Sequence, residues 1–187
     1  MLKAFLVALS CCLVGCAVKY ELPDTDLATS DARTALAVPE DSISRNSPYR
    51  DISRVEFVVL RTYGSNNPAS YREFMKQSLG SMGFKRVLDD AEFAQLIIQK
   101  EAASQVPAAS DLVGLNRLVP KLGPFLVIQS SLYLRSSAYW RNALQIVDPE
   151  APAVLLEYDY SKYAVGGINE LTYPSVNLIR SWYQSSR

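Results

Sequence analysis

Between Phe125 and Tyr163 the chain holds three strand-like runs in close succession, and they limit the fold more than any other feature. Phe125 to Ser136 (FLVIQSSLYLRS), Tyr139 to Val147 (YWRNALQIV) and Val154 to Tyr163 (VLLEYDYSKY) are rich in β-branched, aromatic and aliphatic residues. The turn chemistry of Asp148-Pro149-Glu150-Ala151-Pro152 separates the last two. Runs of this kind, so closely linked, predict neighbouring antiparallel strands. In the third run Glu157, Asp159 and Ser161 alternate with Tyr158, Tyr160 and Lys162. A period of two gives that strand one wet face and one aromatic face.

The residues before and after this block predict helices and further strands. Val55 to Leu60 is a nearly continuous apolar run, which fits a strand buried on both faces. After the turn residues Tyr63 to Pro68, a helix starts either at a capping box (Ser70 to Glu73) or at Asn67 with Pro68 in first position. Tyr71, Phe74, Met75, Leu79 and Met82 share one face of it, and Gly83 suits the left-handed residue that closes it. Lys85 to Leu88 reads as a short strand, Asp89 to Glu92 as a turn or helical turn, and Leu96 to Lys100 as another strand. Ser110 to Val119 reads as a short amphipathic helix capped by Ser110 or Asp111. Past Gly166-Gly167, a last helix is expected from Thr172 or Tyr173, with Pro174 in its first turn and Ile179, Trp182 and Tyr183 on its apolar stripe. The expected fold class is α+β: a mostly antiparallel sheet of about 4–6 strands with two main helices packed on one face.

Composition narrows the chemistry. The chain of 187 residues is 49% hydrophobic and 20% charged, as globular proteins are. It contains no histidine, which removes His-based acid–base catalysis, Ser-His and Cys-His pairs and nearly all zinc sites. The formal net charge is +0, without the basic excess of nucleic-acid binders. No nucleic acid, metal or cofactor is expected as a partner, and no catalytic residue is assigned. The phosphate-binding and nucleophile-elbow patterns are absent from the sequence. Asp89, Asp90 and Glu92 lack the spacing of a calcium loop and read as a solvated turn. Glu157 and Asp159 lie on one strand face, as paired acid–base work would need, but read as an exposed face kept soluble by charge.

The N-terminus addresses the chain. Lys3 precedes an apolar run from Ala4 to Val14, too short to span a membrane but suited to a secretory signal. It ends in Leu13-Val14-Gly15-Cys16, which resembles the bacterial lipobox. The resemblance implies cleavage before Cys16, with residues 1–15 as signal peptide, and lipidation of the Cys16 thiol. Cys11 and Cys12 then leave with the signal, so the domain has no disulfide. The mature chain keeps 18 of the 19 basic residues, since only Lys3 is lost, against 19 acidic ones. Ala17, in place of the aspartate that retains lipoproteins at the inner membrane, implies the outer membrane, with the domain in the periplasm. Residues 16–50, rich in Asp, Ser, Thr and Pro, read as a flexible tether with a root-mean-square reach of roughly 30 Å; residues 51–187 form the domain.

The order of elements behind that lipobox is similar to small bacterial envelope lipoproteins with an α+β domain. They include auxiliary lipoproteins of lipid transporters and the lipopolysaccharide-assembly lipoprotein. The likeness rests on Leu13 to Cys16, on the helix Tyr71 to Phe84 followed by Asp89-Asp90-Ala91, and on the hairpin at Asp148-Pro149. The insert Ala102 to Gly123 departs from the plainer families. The resemblance implies a non-catalytic scaffold or accessory subunit in envelope assembly or transport, with an envelope protein as partner. The alternative is a carrier or sensor of a lipid or other apolar ligand. Two sets are candidates for the interaction surface: the strand aromatics Tyr139, Trp140, Tyr158 and Tyr160, and the helix residues Leu112, Leu115 and Leu118. Both sets equally suit core packing, the favoured reading for most of the strand tyrosines.

Overall fold

The three strand-like runs form a meander at the centre of one six-stranded sheet. They are β4 (Phe125–Ser136), β5 (Tyr139–Asp148) and β6 (Ala153–Tyr163), joined antiparallel. The structure is a computed structural model that describes residues 20–24, 31–46, 51–65, 67–100 and 111–186. The leader, Cys16 and the Ala102–Ser110 part of the insert lie outside them. β1 (Ile43–Arg45) pairs antiparallel with β6, while β2 (Phe57–Gly64) lies parallel to both β4 and β3 (Val87–Leu88). The order across the sheet is β1-β6-β5-β4-β2-β3. The α+β class holds, with a mixed sheet in place of a mostly antiparallel one. Helical crossovers from β2 to β3 and from β3 to β4 return the chain to the same end, which makes those pairs parallel.

The two long helices pack together on one face. α1 (Pro68–Ser81) is capped by the Asn67 side chain, which accepts from Ser70 N–H, so Asn67 rather than Ser70 sets its start. Its buried residues Tyr71, Phe74, Met75 and Leu79 meet Val58, Leu60, Leu126 and Ile128 of the sheet. α4 (Asn169–Ser185) lays Leu171, Val176, Ile179 and Trp182 into the same core. It begins before the expected Thr172, which places Pro174 in its interior. The missing N–H forfeits only the bond to the Glu170 carbonyl, and the Leu171, Thr172 and Ile168 backbone groups already close the turn before it.

Two shorter helices cover part of the opposite face. α2 (Asp90–Gln99) contains Leu96 to Ile98, where a strand was expected. The Asp89 side chain accepts from Ala91 and Glu92 N–H, and Glu92 returns a bond to Asp89 N–H. That capping box commits the segment to a helix, and Phe93 and Ile97, four apart, bury the same side. α3 (Leu112–Leu122) is capped by Asp111 and runs through Pro120. Their side chains form a second core with Phe57, Val59, Phe125, Val127 and Val147.

Parts of the stretch expected to be a tether are packed. The Tyr20 ring lies 5.2 Å from that of Tyr71 and 6.1 Å from that of Phe74, and its hydroxyl bonds Ser65. The Asn177 amide clamps Ala32, accepting from its N–H at 2.7 Å and donating to its carbonyl at 2.9 Å. Asp31 faces the buried Arg180 guanidinium at 3.5 Å, Val38 is buried, and Ile43 begins the edge strand β1. Scattered apolar residues without a period are what such a strap requires, since each fills a separate pocket rather than one face.

Candidate functional site

The second face of the sheet is covered only at its Phe57–Phe125 end; the other half is open among the described residues. Register identifies what it presents. Arg61 of β2 stands beside Gln129, Gln129 beside Gln145, and Gln145 beside Glu157. One step further along, Tyr63, Ser131, Ala143 and Asp159 form the next row. Then come Tyr133, Arg141 and Ser161, and last the pair Tyr139 and Tyr163. Alternate residues of β5 are buried on the other face, so Tyr139, Arg141, Ala143 and Gln145 are half-buried while Trp140, Asn142, Leu144 and Ile146 are buried.

Near β1 this face holds a trough of about 550 Å³, lined by Ser44, Gln129, Ser131, Gln145, Glu157 and Asp159 among others. Its charges are tied down. Arg141 Nε donates to both Asp159 oxygens at 2.8 and 3.1 Å, and its terminal nitrogen forms a further close contact. That guanidinium holds the Asp159 carboxyl below the usual carboxylate range. A general acid needs the opposite shift, so Asp159 reads as an ion-paired surface carboxylate. Gln145 Nε2 donates to Glu157 at 3.2 Å, and Arg61, nearly buried, donates to Asp90 at 3.0 Å.

The residues singled out from the sequence are divided by the sheet. Tyr139 lies on the open face, its ring 4.7 Å from that of Tyr163. Trp140 and Tyr158 are buried on the helix face, and Tyr160 is packed against the same core. Leu115 and Leu118 are buried under α3, with Leu112 packed against them. As placed, Trp140, Tyr158, Leu115 and Leu118 are buried, while Tyr160 and Leu112 are half-buried beside them. Strand period two turns the aromatics toward the long helices, and helical spacing turns the leucines toward the sheet. Asn142 explains the tyrosines: it accepts from Tyr158 OH and donates to Leu171 carbonyl and Ser175 Oγ. Burial pushes the Tyr158 and Tyr71 phenols well up from their ordinary values. Asp89 and Glu92 spend their carboxylates on the α2 cap and on Lys76.

Gln129, Ser131, Arg141 and Gln145 were not singled out from the sequence. The signal was there in the alternation of β4 and β5, but it marks a face only once both strands are placed in register.

No protein-family model matches the chain, and no curated protein does. Among solved structures it is similar to the C-terminal domain of LpoB from Salmonella enterica, at 13% identity and a TM-score of 0.41, over 58% of this chain and 83% of that one. It is similar to PelC from Paraburkholderia phytofirmans, a dodecamer, at 10% identity and a TM-score of 0.42, over 75% and 96%. The lipoprotein GNA1162 from Neisseria meningitidis matches at 12% identity and a TM-score of 0.41, over 70% and 94%. Likenesses this distant decide neither family nor function.

Proposed function

We propose that this chain is an outer-membrane lipoprotein, anchored through Cys16, whose periplasmic domain is a non-catalytic accessory subunit that docks an envelope protein on its open sheet face. The lipobox supports the anchor, and the half-bare face supports the docking. A broad, polar, shallow surface with aromatic residues along one side has the make-up of a transient protein interface, not of the enclosed apolar pocket that small ligands favour. The carrier alternative draws less support. The trough of about 550 Å³ is open and mainly polar, and the hollow of about 380 Å³ beside α2, with Arg86, Glu92 and Gln95 in its wall, is open too. The more enclosed cavity lined by Leu155, Leu178 and Trp182 is about 150 Å³, below the ~300 Å³ at which ligand pockets begin.

A photoreactive phenylalanine analogue at Gln145, in cells expressing the full chain, tests the docking. The same analogue at Gln95, exposed on α2, is the control. A discrete adduct with an envelope protein from Gln145 alone, lost on Asp159→Arg, is expected. Adducts absent, or equal from both positions, would overturn the docking reading. Cys16→Ala should leave an uncleaved, unacylated precursor; normal processing of that variant would overturn the anchor.

A further inference from the structure

Ile98 on α2 and Val113 on α3 are exposed singly, but five of the eight exposed large apolar residues among the described residues gather in one place. Tyr63, Tyr133, Leu134, Tyr163 and Val165 are all exposed, and register brings them to one end of the sheet. β2 finishes there at Gly64 opposite Leu132, β4 turns into β5 between Ser136 and Tyr139, and β6 finishes at Tyr163 opposite Tyr139. Val165 follows at 86% exposed, the highest value among the large apolar side chains. The opposite end carries the Pro149 turn, to which Asn116 of α3 is bonded.

The N-terminal segment enters the domain at that same apolar end. Tyr20 is 9% exposed, wedged against Tyr71 and Phe74 and bonded to Ser65, the residue that follows β2. Tyr173 OH donates to the Glu21 carbonyl at 3.1 Å and fixes the next residue. Three residues separate Cys16 from Tyr20, so a fully extended chain carries the lipid-bearing cysteine no more than about 14 Å away. The reach of a long tether is lost once Tyr20 is seated.

We infer that this end of the sheet, with Tyr63, Tyr133, Leu134, Tyr139, Tyr163 and Val165, rests in the headgroup layer of the bilayer that holds the Cys16 lipid. The inference rests on the lipoprotein reading and adds the orientation of the domain. Tyrosine belongs at such a boundary, with an apolar ring and a hydroxyl that stays hydrated. The Arg141–Asp159 pair that borders this end is mutually neutralised, and the contact draws on apolar burial and not on anionic lipid. Strands then rise from the membrane, and the open face is presented sideways, where a partner in the periplasm reaches it.

The test uses the full lipoprotein in vesicles of phosphatidylethanolamine and phosphatidylglycerol, with an environment-sensitive dye on Val165→Cys. The control is Val113→Cys on α3, also exposed, at 63%. After processing and acylation of Cys16 the introduced thiol is the one free cysteine, since Cys11 and Cys12 leave with the signal. Dye at position 165 should shift to the blue and lose emission when brominated lipids replace the ordinary ones, unchanged by high salt; dye at position 113 should do neither. Equal responses at both positions overturn the proposal. So does a blue shift at 165 without quenching, which means that protein, a second copy included, covers that end. Intact mass of the same sample reports the acyl chains: acylation without quenching sinks the orientation and leaves the anchor standing, while quenching without acylation does the reverse.

Discussion

The Tyr71 hydroxyl and Ser130 Oγ share a 2.6 Å hydrogen bond across the interface of α1 and the sheet. The two residues are 2% and 1% exposed, so no bulk water replaces a lost partner. Tyr71→Phe keeps the ring and its contact with Tyr20 but strips Ser130 of its bond. A made bond contributes only about 1 kcal/mol net, whereas a buried polar group left alone costs about 1–3 kcal/mol. Tyr71→Phe should therefore cost about 1–3 kcal/mol, or about 2–10 °C in Tm for a chain of this length. Ser130→Ala should cost a similar amount by orphaning the phenol. In the double variant nothing polar is left unpaired, so its loss should fall short of the sum by about 1 kcal/mol or more. Urea unfolding followed by circular dichroism measures all four corners of the cycle. Strict additivity would refute the reasoning, because each group would then have another partner.

Two further outcomes follow from the backbone and from the buried phenols. Gly64 sits at φ +70°, and a Cβ there would lie 2.5 Å from the Leu132 carbonyl oxygen, whereas one on Gly80 in α1 meets nothing within 4 Å. Gly64→Ala should destabilise by at least about 1–3 kcal/mol and Gly80→Ala should stabilise by about 0.4–1 kcal/mol; calorimetric Tm shifts of the same sign would contradict this. Burial raises the Tyr71 and Tyr158 phenols, so folding favours their neutral form. That stability is whole below the unfolded value of about 10 and falls by about 1.4 kcal/mol per pH unit per tyrosine as pH rises above it. Tyr158→Phe should flatten the alkaline loss, and a stability level from about pH 9 to 11 in the parent would refute the burial argument.

What was legible in the sequence was whatever a local rule decides. β4, β5 and β6 show their bounds because apolar runs mark them, the Pro149–Pro152 turn parts the last two and Gly166-Gly167 closes the block. α1 shows itself because Asn67-Pro68, the apolar stripe and Gly83 agree. Leu96 to Lys100 was misread because Leu-Ile-Ile satisfies strand and helix alike over so short a run, and the decision lay upstream in the Asp89–Glu92 capping box. The strap was invisible for a different reason: Tyr20, Val38 and Ile43 each answer to a distant pocket, and nothing local signals a contact across 51 residues such as Tyr20 with Tyr71. The same holds for the candidate face. Gln129 and Gln145 are ordinary strand residues until register sets them side by side.

Element lengths explain why that face is half bare. β4 has 12 residues and α2 has 10. A strand of that length runs about 40 Å while the helix covers about 15 Å. α3, with 11 residues, packs near the same end and adds breadth, not length. Among the described residues the sheet therefore outruns its second layer, and the residues beyond the helices must be soluble or covered. Gln, Ser, Glu and the Arg141–Asp159 pair keep the middle rows wet, so they hold the face open without committing it to a permanent partner. The last rows do not follow that rule. They give way to Tyr133, Tyr139, Tyr163 and Val165, and an apolar cluster is costly at the rim of a water-exposed sheet unless something shields it. Tyr20 seats the N-terminal segment at that rim, so a lipid on Cys16, as proposed, would bring the bilayer there as the shield. On the proposed reading one sheet face would serve two surroundings, a periplasmic partner over its polar rows and lipid at its apolar end.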